Sequence, residues 1–174
     1  LVRPGRWVLM NGRPAPGFGV RPYTDLLLAV KHAGARLAVD TSGEYLRAAV
    51  EAGPEFVKPN ADELSELIGR PLRSLPAVVR GARSLTRAVG CVVVSLGKRG
   101  AVCVTARAAW TARERRRAAV VHTVGCGDSL FAGFAAALAE DHSPAAALRF
   151  AVACGGACVR TPRASLRTRD EAET

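Results

Sequence analysis

Four consecutive residues, Gly125-Cys126-Gly127-Asp128, carry the types and spacing that chemistry needs, and an apolar helical pattern to Leu138 starts directly behind them. Glycines let backbone come close to a ligand, and the first N–H groups of a helix can hold an anion. A carboxylate on that turn, Asp128, can accept a proton from a hydroxyl while the N–H groups steady negative charge developing beside it. Group transfer onto a hydroxyl is the chemistry this implies. The competing reading makes Asp128 a plain helix-capping residue. Cys126, whose thiol a helix N-terminus can acidify, is expected to contribute its N–H.

A second cluster, Lys58-Pro59-Asn60-Ala61-Asp62-Glu63-Leu64, opens another helical pattern. Asn60 and Glu63 lie three apart on a first turn and can face one side. Either they place Mg²⁺, directly or through water, with Lys58 pairing phosphate oxygens, or they simply close a capping box. A third cluster, Ser95-Leu96-Gly97-Lys98-Arg99-Gly100, ends an apolar run with two glycines. It is a tight strand-to-strand turn, and its backbone can also line a nucleotide pocket. Neither G-x-x-x-x-G-K-[ST] nor G-x-G-x-x-G occurs, which disfavours a phosphate loop of that kind and a dinucleotide fold. No Ser/His/Asp or Cys/His hydrolase arrangement is visible. His122 reads as a strand residue, and His32 and His142 as solvated.

These clusters need elements to hold them. Short apolar runs predict strands at Trp7–Met10, Arg36–Asp40, Glu55–Lys58, Cys91–Ser95, Ala101–Thr105, Ala108–Thr111 and Val120–His122. Helical spacing predicts helices at Tyr23–Ala33, Glu44–Ala52, Asn60–Ile68, Ala77–Ala88, Cys126–Glu140 and Pro144–Cys158, with glycines 34, 53 and 69 as stops. Alternation with short loops calls for a three-layer α/β/α sandwich with a mostly parallel sheet. Sites in such sheets lie beyond the C-terminal ends of the strands, where Asp40, Lys58, Ser95 and Gly125–Asp128 fall. One domain over residues 1–174 is expected, with a polar tail from Arg160 that frays.

Composition narrows the class. With 174 residues, 49% hydrophobic and 23% charged, the chain can bury one good core, and no apolar run has the length of a membrane span. Nothing at the start reads as a signal peptide, so cytoplasmic residence is the default expectation. Net charge is +10, almost all of it arginine. The arginines are scattered apart from the Arg113–Arg117 run, which argues for a solvated loop over a nucleic-acid face. Five cysteines show no metal or disulfide pattern, and Cys154 and Cys158, four apart in an apolar helix, read as buried thiols.

Together the clusters resemble the phosphofructokinase B family of sugar kinases, which has a ribokinase-like fold. The family's C-terminal signature, D-T-V-G-A-G-D-S-F-x-A-G-F, stands here as HTVGCGDSLFAGF, with His122, Cys126 and Leu130 as the departures. VDTSGEYL (Val39–Leu46), KPNADEL (Lys58–Leu64) and SLGKRGA (Ser95–Ala101) follow the family order, in the style of its 1-phosphofructokinase and tagatose-6-phosphate kinase branch. The resemblance implies that Asp128 is the catalytic base and that the N–H groups of Gly125, Cys126 and Gly127 form the anion hole for the γ-phosphoryl of ATP. It gives Lys58 and Asn60 to ATP, Asn60 and Glu63 to Mg²⁺ through water, and Ser95–Gly100 to the wall of the nucleotide site. The implied reaction converts ATP and fructose 1-phosphate to fructose 1,6-bisphosphate.

Two departures bear on this. The loop Gly12–Gly17, GRPAPG, stands where relatives carry G-S-L-P-P-G, so that Arg13 and Pro14 replace Ser and Leu. The resemblance also corresponds to the C-terminal half of a family member, so the chain is expected to be truncated at its N-terminus and to need a homodimer partner or a missing N-terminal half. The rivals are a kinase for tagatose 6-phosphate or fructose 6-phosphate, a non-catalytic nucleotide-binding remnant, and a basic nucleic-acid-binding domain supported by charge alone.

Overall fold

The structure, a computed structural model, describes residues 2–114 and 123–160. The predicted strand at Val120–His122, most of the Arg113–Arg117 run and the tail after Arg160 lie outside the described residues. The fold is α/β, with a mixed, mostly parallel sheet whose six strands follow chain order. The chain divides into two compact units, residues 1–94 with 104–109, and residues 95–103 with 110–174.

In the first unit, β1 (Trp7–Asn11), β2 (Arg36–Asp40), β3 (Phe56–Val57) and β4 (Cys91–Ser95) run parallel. The register sets Asn11 opposite Asp40, Val39 opposite Val57, and Val57 opposite Val92. Leu37, Ala38, Val39, Phe56, Val57, Val92, Val93 and Val94 are fully buried, which is why these runs carry no polar alternation. Four parallel strands in sequential order, joined by right-handed crossovers, put their connecting helices on one face. Accordingly α1 (Val20–His32) packs on α2 (Gly43–Ala52), α2 on α3 (Ala61–Ile68), and α3 on α4 (Leu75–Leu85). Buried Tyr23, Leu27 and Val30 form the inward stripe of α1 at helical spacing.

Two helix starts differ from the prediction for one reason. Proline in a first helical turn lacks only an N–H that would have no intrahelical partner there. Pro22 and Pro76 therefore lie inside α1 and α4, which begin before the positions expected. Gly53 and Gly69 end α2 and α3 in the left-handed region, at φ 68° and 75°.

One titration follows from this packing. The Tyr23 ring meets Tyr45 edge-on at 5.2 Å. Burial pushes its phenol up to about 12 from an ordinary 10.0, and the neighbouring Thr41 hydroxyl pulls weakly the other way. Folding thus favours the neutral phenol. That contribution is complete below pH 10.0 and is lost as pH climbs toward about 12. The stability difference between the native protein and Tyr23→Phe, read by urea melts, should be flat below the lower value and shrink above it.

In the second unit, β5 (Ala101–Val104) is buried along its whole length and β6 (Ala109–Ala112) alternates exposed and half-buried residues. The helices α5 (Cys126–Ala139) and α6 (Pro144–Arg160) pack tightly because glycine and small residues face each other. A Cβ on Gly133 would fall 2.8 Å from Cys154 Sγ and 3.3 Å from Ala151 Cα. Leu130, Phe131, Phe134, Ala147 and Leu148 fill the rest of this core.

Candidate functional site

In the first unit the polar residues gather where the parallel strands end. Lys58 follows β3 and is 5% exposed, and its Nζ lies 2.9 Å from Asp40 Oδ2 at the end of β2. Adjacent strands bring the two together, since Val39 and Val57 are register partners one residue before each. The ammonium is therefore directed at a carboxylate of its own chain, and any phosphate reaching Lys58 has to compete with Asp40. Thr41, the next residue, is also buried.

Asn60 caps α3. Its Oδ1 accepts from the N–H groups of Asp62 and Glu63, each at 2.9 Å, and Glu63 Oε2 accepts from Asn60 N–H at 2.8 Å. The capping box raised from spacing alone is formed in full. It occupies one carboxylate oxygen of Glu63 and leaves the other for a further interaction. Asn60→Ala removes both side-chain acceptor bonds and should cost about 1 kcal/mol of stability in denaturant melts.

The loop after β1 walls a cleft of about 280 Å³ with Asn11, Arg13, Pro14 and Phe18, backed by Tyr23 and Leu26. Tyr45 Oη donates to the Phe18 carbonyl at 2.6 Å, and the Arg13 guanidinium stands 5.9 Å from the Tyr45 ring centroid. The cleft is small for a ligand such as ATP, since ordinary sites start near 300 Å³.

In the second unit, Gly97–Arg99 form a 3-10 turn between β4 and β5, which the sequence suggested only as a turn. Leu96 N–H donates to the Gly100 carbonyl at 2.8 Å and Gly100 N–H returns to the Gly97 carbonyl at 3.0 Å. Lys98 and Arg99 are exposed there. Gly100 needs to be glycine on two counts. Its φ is 86°, and a Cβ would meet the Ala112 carbonyl and lie 2.7 Å from Arg113 Cα.

Gly125 begins α5 from the left-handed region, φ 76°, and no side chain caps the helix. Cys126, Gly127 and Asp128 are thus the first three helical residues, the positions whose N–H groups lack intrahelical carbonyl partners. Cys126 N–H makes one long bond, 3.4 Å, to the Thr123 carbonyl. Asp128 is exposed on this first turn and is not the capping residue, so the plain capping reading falls. The acidified thiol considered for Cys126 is also overturned. Its thiol is pushed up to about 11, mainly by burial, then by a hydrogen bond and charge from Cys158 and by the Asp128 carboxylate. A backbone hydrogen bond at Cys126 pulls weakly the other way.

The structure therefore joins Asp40 to Lys58 and Asn60 to Glu63 in the first unit, and Cys126 to Cys158 in the second. Spacing suggested Asn60 with Glu63 alone. The Asp40–Lys58 pair was readable only as two charges at the ends of consecutive strands, and the thiol pair, 32 residues apart in sequence, left no local signal.

The sequence and the fold match a known family. The chain belongs to the pfkB family of carbohydrate kinases, whose family model matches residues 2–170. It is 40% identical to the 1-phosphofructokinase of Rhodobacter capsulatus over 152 residues, 86% of this chain and 48% of that protein. It is 33% identical to the ATP-dependent 6-phosphofructokinase isozyme 2 of Escherichia coli over 175 residues, 99% of this chain and 56% of that protein. The crystal structure of Escherichia coli phosphofructokinase-2 in complex with substrates and products superposes with a TM-score of 0.91 at 33% identity, covering 99% of this chain and 56% of that one. The chain spans about half the length of the curated relatives it matches. The ribokinase-like fold and the carbohydrate-kinase family expected from the motifs are both borne out. No helix among the described residues is long and apolar enough to cross a membrane.

Proposed function

We propose that this chain serves ATP-dependent phosphoryl transfer to a sugar phosphate, with fructose 1-phosphate as the acceptor. The observation that carries the reading is the first turn of α5, where an exposed carboxylate stands beside uncapped helix N–H groups. Phosphoryl transfer asks for little else from a protein: position the groups, neutralise charge, supply a base. Asp128 takes the proton of the acceptor hydroxyl as its oxygen attacks the γ-phosphorus. The N–H groups of Gly125, Cys126 and Gly127 receive the charge on the phosphoryl oxygens as the bond to ADP breaks.

The turn from Ser95 to Gly100 lines the nucleotide, with Lys98 and Arg99 exposed for its phosphates. At the other cluster, ATP is met by Asn60 and by the Lys58–Asn60 backbone, while the Lys58 cation, held by Asp40, orders the strand ends. No group of three or more acidic, His or Cys side chains is placed to cage a metal among the described residues. Mg²⁺ typically keeps several waters and leans on substrate phosphates, so the remaining oxygen of Glu63 and Asn60 fit it as partners through water. The ion would supply positive charge to the phosphates.

The acceptor is chosen over fructose 6-phosphate and tagatose 6-phosphate because the relative of greater identity is a 1-phosphofructokinase. A second reading is nucleotide binding without turnover. ADP release from Mg·ATP, measured with each of the three sugar phosphates, tests the proposal. Turnover fastest with fructose 1-phosphate upholds it. Saturable ATP binding with no turnover on any of the three gives the second reading, and neither binding nor turnover removes both.

A further inference from the structure

Two thiols meet beneath the anion-binding turn. Cys126 is the first residue of α5, and Cys158, fully buried, lies near the end of α6. Their Sγ atoms converge on one carbonyl oxygen, that of Val124, at 4.0 and 3.6 Å. Little stands between the two helices here. A Cβ on Gly155 would lie only 3.2 Å from the Cys126 carbonyl oxygen, so α6 brings bare backbone against the start of α5.

We propose that Cys126 and Cys158 form a reversible disulfide that locks the Gly125–Asp128 turn and shuts it to the phosphoryl group. The oxidant is a small-molecule disulfide of the glutathione class. Cys126, the more accessible thiol, loses its proton and attacks one sulfur, releasing one equivalent of small thiol and leaving a mixed disulfide. Cys158 then attacks Cys126 Sγ and releases the second equivalent. Two protons and two electrons pass from the protein to the oxidant, which leaves as two thiols. A dithiol reductant reverses both steps.

The lock follows from bond length. A disulfide needs its sulfurs about 2.05 Å apart, far closer than two reduced thiols can approach, so closure draws Cys126 toward α6. Cys126 contributes one of the turn's N–H groups, and its neighbours supply the others. Misplacing such groups by about 1 Å can cost on the order of 100-fold in rate. The elevated thiol pKa of Cys126, caused by burial, Cys158 and Asp128, slows its attack and makes closure a response to sustained oxidation.

The loss of turnover rests on the proposed kinase reading, so the link and its effect are measured separately. The full chain is equilibrated with oxidised glutathione and digested without reduction. A linked peptide pair carrying Cys126 and Cys158 is expected, absent from Cys158→Ala and reversed by dithiothreitol. Amide hydrogen exchange over residues 123–129 should slow on oxidation in the native protein and stay unchanged in Cys158→Ala. Turnover of Mg·ATP should fall about 100-fold in the native protein alone. Failure to find the linked pair, or a linked pair with unchanged exchange at the turn, overturns the proposal. A linked, slowed turn in a protein that shows no turnover even when reduced upholds the lock and counts against the kinase reading instead.

Discussion

Asp128→Asn should lower kcat for phosphoryl transfer by about 100- to 10,000-fold while leaving the fold and the affinity for Mg·ATP nearly unchanged. The size follows from the role. An acceptor hydroxyl has a poor intrinsic tendency to lose its proton, and the amide of Asn keeps the shape of the carboxylate without its basicity. The selectivity of the loss follows from the position. Asp128 is exposed on the third residue of α5 and does not cap it, so the variant forfeits no structural bond of the helix end. Surface changes of that kind stay within about 0.5 kcal/mol. Steady-state kinetics with saturating fructose 1-phosphate, paired with a urea melt, reads both halves. An unfolded variant, or one that turns over within tenfold of the native rate, would remove Asp128 as the base.

That a candidate base could be named at all owes to local physics. Glycine at 125 and 127 with a carboxylate between them and an apolar helix is a contiguous signal, and contiguous signals survive in sequence. The same holds for Asn60 with Glu63, and for β2 and β4, whose bounds Arg36–Asp40 and Cys91–Ser95 are those read from apolar runs. What was illegible is what tertiary contact decides. Lys58 carries no mark in sequence that its ammonium lies against a carboxylate; the register of β2 against β3 brings Asp40 to it. Cys126 has the sequence context of an acidified thiol, and burial against Cys158 reverses the direction. Pro22 and Pro76 look like breaks until the chain is seen to start a helix through them.

Lys58→Ala should be the costliest single change in the first unit that touches no apolar core residue, at about 3–5 kcal/mol. The side chains of Lys58 and Asp40 are 6% and 14% exposed, so removing the ammonium leaves a nearly buried carboxylate without its cation. Such a loss would lower the melting temperature by roughly 10 °C in a chain of this size. The paired change Lys58→Met with Asp40→Asn tests the cause, because apolar or neutral groups of similar volume often replace a buried ion pair at little cost. It should recover most of the stability that Lys58→Ala loses. The KM for ATP then separates two roles for the lysine. If Lys58 acts by ordering the strand ends, the well-folded double variant binds ATP close to normally. If its ammonium leaves Asp40 to hold a phosphate, it does so only with ATP bound, and the stability loss of the free protein is the same. The KM for ATP would then rise in both variants. The 2.9 Å pair and its burial favour the first outcome.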